Sequence, residues 1–289
     1  MSALVHLREV QPQEAAALDA FLAQHPETSM FLRGNLAAHG IGNRDHQHGT
    51  TYWINAAGPI EGVIGCSNGG YLMCQAPRAD DAFWRAAADV LLGREIGGLT
   101  GVPDQVNAWI AALGFSDDAF QVKETEPLYR LKLDQVITPE MAGVQLRAPQ
   151  MSDHAILVEW FAGYAQDTGF MPSGGTSSDE AATRFIAHEA ARVLVQGETL
   201  VGMASLNAFV GETVQVGGVY VPPHHRGQGF SGAVVAALLA GLQGQGITTA
   251  VLFAASAIAA RGYERIGFKH IGSYELAILK SPVLIKRGA

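Results

Sequence analysis

A chain of 289 residues with 48% apolar and 16% charged side chains has enough apolar material for a buried core, and its length favours two domains over one. The formal net charge of −8, with no basic block, excludes a partner held mainly through a nucleic-acid backbone, although a local positive pocket for a small phosphorylated ligand stays compatible with it. No apolar run reaches the roughly 18 residues of a membrane span, and the N-terminus lacks the pattern of a signal peptide; a cytoplasmic protein with Cys66 and Cys74 reduced and partly buried is the expectation.

In chain order, Val5 to His25 (VHLREVQPQEAAALDAFLAQH) reads as a short strand carrying Leu7-Arg8, a polar turn and an amphipathic helix. HGIGNRDHQHG, residues 39–49, places His39, Asp45, His46 and His48 together, but its glycines and polar residues read as a surface loop rather than a metal site. Residues 96–115, IGGLTGVPDQVNAWIAALGF, read as a strand, a helix and Gly-Phe, followed by the strand LYRLKL at 128–133. The polar stretch DQVITPEMAG, 134–143, then interrupts the pattern at Pro139.

The same succession begins again after the interruption. VQLRAPQMSDHAILVEWFAGY, residues 144–164, matches the first stretch, with Leu146-Arg147 in the place of Leu7-Arg8 and with Trp160 and Phe161 on the core face of its helix. TTAVLFAASAIAARGYERIGF, residues 248–268, matches the second, and SYELAILK, 273–280, supplies the closing strand. Two matches in one order predict a duplicated α+β domain, 1–136 and 143–289. Between them GFMPSGGTSS, 169–178, reads as a loop or linker, Ser and Asp of SSDEAATRFIAHEAA as a helix start, and Gly197-Glu198 as a hairpin turn. The strand 212–221 leads into PPHHRGQGFSGAVVAALL, and a helix is predicted from about Ser231 to Leu242.

A strand, a glycine-rich turn and a helix gather backbone amides for an anion, because the first N–H groups of a helix lack intrahelical partners and the helix dipole is positive there. Gly227 and Gly229 let a phosphate approach the backbone, Arg226 can add a charged donor, and Pro222 and Pro223 end the strand pairing. Neither a Walker A loop nor a dinucleotide fingerprint is present.

The stretch 222–239 resembles the pyrophosphate-binding motif of the GNAT superfamily of N-acetyltransferases, Gln/Arg-x-x-Gly-x-Gly/Ala after a central strand, and ARGYERIGF, 260–268, resembles the family's helix ending in Tyr-x-x-x-Gly-Phe. The resemblance covers about the last 145 residues. It implies an α+β fold of two tandem GNAT-like domains, each a mixed, mostly antiparallel twisted sheet flanked by helices. It further implies acetyl-CoA as acyl donor, an amine acceptor and direct transfer in a ternary complex; no metal, nucleic acid or membrane is expected, on the charge, the loop and the apolar runs read above. The pantetheine would lie along Val219, Tyr220 and Val221, with an N–H near Val219 polarising the thioester. The pyrophosphate would meet His225, Arg226, Gly227, Gln228, Gly229, Phe230 and Ser231, and Tyr263 would protonate the thiolate. His224 departs from the pattern, as do Ser256 and Ala260, which stand where relatives often carry asparagines near the pantetheine; Ser256 is retained as a cofactor contact. For the base, Glu212 is the nearest acidic candidate by spacing to positions used in some relatives, with Asp167 and Glu159 as further candidates. With no cysteine after residue 74, a thiol acyl-enzyme is excluded in the second half. The first half has no paired glycines in YLMCQAPRADDAFW and Ile110 in the position of Tyr263, as in a degenerate copy. A non-catalytic acyl-CoA sensor and a purely structural duplicate are the alternatives.

Overall fold

The computed structural model describes residues 5–169 and 177–286, so residues 170–176 of the predicted loop lie outside the described residues. The elements run β1 (Leu7–Glu9), α1 (Ala15–Leu22), α2 (Met30–His39), β2 (Thr50–Asn55), β3 (Val63–Ser67), β4 (Tyr71–Gln75), α3 (Asp81–Val90), β5 (Glu95–Gly101), α4 (Pro103–Leu113) and β6 (Phe120–Lys132). The second set is β7 (Val144–Arg147), α5 (His154–Thr168), α6 (Ser178–Ala187), β8 (Arg192–Gln196), β9 (Thr199–Val210), β10 (Thr213–Tyr220), α7 (Phe230–Ala240), β11 (Thr249–Phe253), α8 (Ala257–Arg265) and β12 (Lys269–Leu284).

Compactness divides the chain into Met1–Glu126 with Ser273–Ala289, and Pro127–Gly272. These units do not coincide with the halves of the repeat, because each takes its closing strand from the end of the other half. In the first unit β1 to β4 are antiparallel in succession, β4 runs parallel to β5, and β5 pairs antiparallel with Glu275–Leu284 of β12. In the second, β7 to β10 are antiparallel in succession, β10 runs parallel to β11, and β11 pairs antiparallel with Leu128–Lys132 of β6.

Both faces of each sheet are covered. In the first unit Trp84 and Trp109 of α3 and α4 pack with Ile64, Leu72 and Leu99, while Leu18, Leu22 and Leu32 of α1 and α2 pack with Tyr52 and Ile54. In the second, α7 and α8 lie over Val214, Val216 and Leu252, and Trp160, Phe161 and Phe185 of α5 and α6 pack with Met203 and Tyr220. α7 is apolar around its whole circumference, as a helix buried on all sides must be, and Val234, Val235, Ala236 and Leu239 are fully buried. Cys66 and Cys74 are free thiols buried completely rather than partly, and burial pushes Cys74 up to about 12.

The repeated Leu-Arg pair has a physical meaning. Arg8 grips Glu14 through two hydrogen bonds of 2.7 and 2.6 Å, and Arg147 grips Asp153 through bonds of 2.6 and 2.8 Å. In both copies the carboxylate also accepts a backbone N–H three residues back, from Gln11 or Gln150, closing a capping box before the first helix. Ser177 caps α6 by accepting the Glu180 N–H, and Gly197-Glu198 joins β8 to β9 with Gly197 at φ +61°.

Candidate functional site

The parallel pairing of β10 with β11 runs from Thr213 opposite Thr249 to Val216 opposite Leu252 and stops there. β10 continues to Tyr220, and along 217–220 no described strand pairs with the edge turned away from β9. On the β9 side the register slips between Gly217, opposite Ser205, and Tyr220, opposite Met203, so three residues of β10 span two of β9. Gly218 takes φ +60° in this bulge, and the Ser205 hydroxyl donates to the Gly217 carbonyl at 3.2 Å. The Asn207 amide lies over Gly217 where a β-carbon would stand.

Beyond Tyr220 the chain makes a 3-10 turn at Pro223–His225 and enters α7 through Gly227 and Gly229, at φ +78° and +85°. Gly229 is the N-cap residue, and no side chain caps the helix. The first amides of α7 therefore have neither an intrahelical acceptor nor a capping oxygen. The predicted residues His225 to Ser231 are brought together here as one turn, continuous with the strand end Val219–Val221. His225 packs edge-on against Phe230, 6.0 Å between ring centroids, with its Nε2 buried and without a hydrogen-bond partner. Desolvation, with His224 4.2 Å away, holds the His225 pKa below its usual value, so the ring is neutral at neutral pH.

Arg226 is committed elsewhere in the turn. Its Nη2 donates to Asp167 Oδ2 of α5 at 2.5 Å, its Nε donates to the Val221 carbonyl at 3.0 Å, and its guanidinium lies 5.7 Å from the Tyr220 ring. The Tyr220 hydroxyl sits against Gly163, where any β-carbon on α5 would collide with it, and Trp160 and Tyr164 flank the ring at 6.1 and 6.3 Å. Burial, then the Asp167 carboxylate, keeps the Tyr220 phenol above its ordinary pKa. Glu159 lies exposed on α5.

α8 meets α7 through small residues. A β-carbon on Gly232 would stand 3.0 Å from the Gly262 carbonyl, and one on Gly262 would stand 3.1 Å from the Ser231 hydroxyl. Tyr263, next in sequence to Gly262, is 5% exposed and packs 6.1 Å from Phe268. Ser256 caps α8 by accepting the Ala259 N–H at 3.2 Å, which leaves its own O–H as a donor.

Glu212 is not part of this constellation. It is exposed at the start of β10, accepts the Thr248 hydroxyl at 3.1 Å, and receives the Thr248 and Thr249 amides on its carbonyl. Eight residues at about 3.3 Å each separate it from Tyr220, so spacing along the sequence places it at the wrong end of the strand.

The first unit shows the same elements closed off. The Asp80 carboxylate caps α3 by accepting the Phe83 N–H at 3.0 Å, filling with a fixed anion the position where α7 has only Gly229. β4 pairs with β5 from Tyr71 opposite Gly98 as far as Met73 opposite Thr100, and beyond that point the Gln105 side chain accepts the Ala76 N–H at 2.7 Å. Ile110, matched to Tyr263, is buried at 6% exposure. Asp80 was readable as an N-cap ahead of a helix; Gln105, Gly163 and the Asp167 pairing carry no local signal. The histidine rings cluster, His39 stacked on His46 at 4.1 Å and His48 tilted against His46 at 5.4 Å, and among the described residues no group of three or more His, Cys, Asp or Glu is arranged to hold a metal. No described helix is long and apolar enough to cross a membrane.

Residues 157–268 match the model of the acetyltransferase (GNAT) family, a span that contains the β10–α7 turn and Tyr263. None of the curated proteins compared matches the chain. Among solved structures, a tandem GNAT protein from the clavulanic acid biosynthesis pathway is similar over 99% of this chain and 100% of its own, at 14% identity and a TM-score of 0.55. A GNAT-family acetyltransferase from Colwellia psychrerythraea is similar over 95% and 99%, at 13% identity and 0.55. A protein of Drosophila is similar over 95% and 99%, at 13% identity and 0.63. At these identities the structures speak for the fold alone: this chain has a tandem GNAT fold, and residues 157–268 of it match the GNAT acetyltransferase family model.

Proposed function

We propose that the GNAT-family domain binds acetyl-CoA and transfers its acetyl group to an amine by direct attack in a ternary complex. The observation that carries the reading is the glycine-capped start of α7, which follows directly on a strand edge left without a partner along 217–220. That edge is suited to pantetheine amides along Val219 to Val221, and the turn amides, with Arg226, to a pyrophosphate. In the reaction the uncharged amine nitrogen attacks the thioester carbon while an amide near Val219 stabilises the developing oxyanion. The carbon–sulfur bond breaks, the acetyl group stays on nitrogen, Tyr263 gives its proton to the thiolate, and the proton lost from nitrogen leaves through solvent. Glu212 has no part in this scheme, because it stands at the far end of β10. In this reading the first 136 residues are a copy that binds no cofactor, since Asp80 and Gln105 fill the corresponding positions.

The test is calorimetric titration of acetyl-CoA into the wild type and Gly229→Glu, which places a carboxylate at the helix start. Binding on the micromolar scale that the substitution abolishes supports the reading, and a wild type that takes up no acetyl-CoA sinks it. The position of Glu212, the expected base, at the end of β10 away from the turn favours, as a second reading, a sensor that binds acyl-CoA without turnover. Thiol release with a panel of primary amines, and its loss in Tyr263→Phe, separates the two.

A further inference from the structure

Arg226 is the one Lys or Arg between Pro222 and Ser231, so the permanent positive charge available to a pyrophosphate in the turn belongs to Arg226. In this structure that charge is spent on α5. A guanidinium has five N–H donors; here Nε is given to Val221 and Nη2 to Asp167, with the group seated beside the Tyr220 ring. The seat is built from several directions, since Gly163 makes the space that lets Tyr220 lie against α5. Arg226 and Asp167 are each 44% exposed, so solvent reaches the pair and weakens it. Phosphate oxygens with a charge-assisted, two-point fit to the same fork are the stronger partner. While the pair is made, the turn offers an incoming pyrophosphate a neutralised arginine and a carboxylate at its rim.

We infer that Asp167 is a positioning residue that sets cofactor affinity by competing with the pyrophosphate for Arg226, an inference that rests on the acetyl-CoA reading above. Binding then exchanges one ion pair for another: the guanidinium passes from Asp167 to phosphate, and the carboxylate of α5 is released toward water. Asp167 acts through Arg226 and touches no reacting atom.

The experiment is a double-mutant cycle read by calorimetry, with CoA and, separately, inorganic pyrophosphate as probes. Asp167→Asn should bind both about two- to fivefold more tightly than the wild type, the scale on which exposed ion pairs act. Arg226→Ala should bind both more weakly, and in its background Asp167→Asn should gain nothing. Asp167→Glu, which keeps the competing charge, should return to the wild-type affinity. Unchanged or weaker binding by Asp167→Asn overturns the inference, and so does a gain that persists without Arg226, which would mark a general charge effect. If the wild type takes up no CoA, this inference and the acetyl-CoA reading fall together; if it binds and only the cycle fails, the acetyl-CoA reading stands alone.

Discussion

Gln105 reaches from α4 to the end of β4, and its Oε1 accepts the Ala76 N–H at 2.7 Å with both residues buried. This one side chain satisfies a strand edge whose counterpart in the other repeat is offered to a ligand in the acetyl-CoA reading. Gln105→Ala should leave the Ala76 amide buried and unpaired and cost about 1–3 kcal/mol of stability by urea denaturation. A loss of only a few tenths would show that the bond is dispensable. Acetyl-CoA affinity should not appear in the first unit, because the Asp80 carboxylate still holds the start of α3.

Gly163 is required by Tyr220 rather than by its helix. Gly163→Ala drives a methyl into the phenol oxygen, with ring Cζ also within 3.0 Å, and should destabilise the protein by about 1–3 kcal/mol despite alanine's better helix propensity. In a Tyr220→Phe background the same substitution should cost measurably less, a coupling that thermal melts of the four variants detect. Equal costs in both backgrounds would exclude the contact as the cause.

Gly229 isolates a backbone effect, since a β-carbon there meets nothing within 4 Å but φ is +85°. Gly229→Ala should cost about 1–2 kcal/mol from left-handed strain, and Gly229→Asn less, because asparagine tolerates that region. If alanine is neutral in denaturant titrations, the turn relaxes to another conformation.

The two helix-entry pairs predict an acid dependence of stability. Arg8, then the Gln11 amide, holds the Glu14 carboxyl at about 2, and Arg147 holds Asp153 below its usual value. With folded pKa values depressed, the contribution is complete above the ordinary carboxylate range near about 4 and is lost as pH falls toward 2. Arg147→Gln should lower stability at pH 7 and flatten its decline between pH 5 and 3, measured by urea titrations at each pH. A decline as steep as in the wild type would remove Asp153 from the explanation.

Much of this was legible in the sequence because it is local. The paired Leu-Arg stretches, the Gly197-Glu198 hairpin and the glycine turn are each set within a few residues, and each stands where its pattern places it. Glu212, chosen by its spacing to positions used in some relatives, lies at the end of β10 away from the glycine turn, because a strand carries its two ends apart. The partner of Arg226 could not be read, since Asp167 is 59 residues away and any exposed carboxylate would have looked the same. Nor could the true partners of LYRLKL and SYELAILK, because their alternation of buried and exposed residues is satisfied equally beside β5 or β11.

That exchange of closing strands bears on how the protein is made. The first unit lacks the strand that closes β5 until residues 275–284 have been synthesised, although β1 to β5 are complete by residue 101. At about 5–20 residues per second the ribosome needs on the order of ten seconds or more to cross that interval. During it the outer edge of β5 has no partner of its own, a condition that invites pairing with neighbouring chains. The first unit is thus the one that waits, and truncations near residue 270 should be recovered as aggregates rather than as a shortened fold.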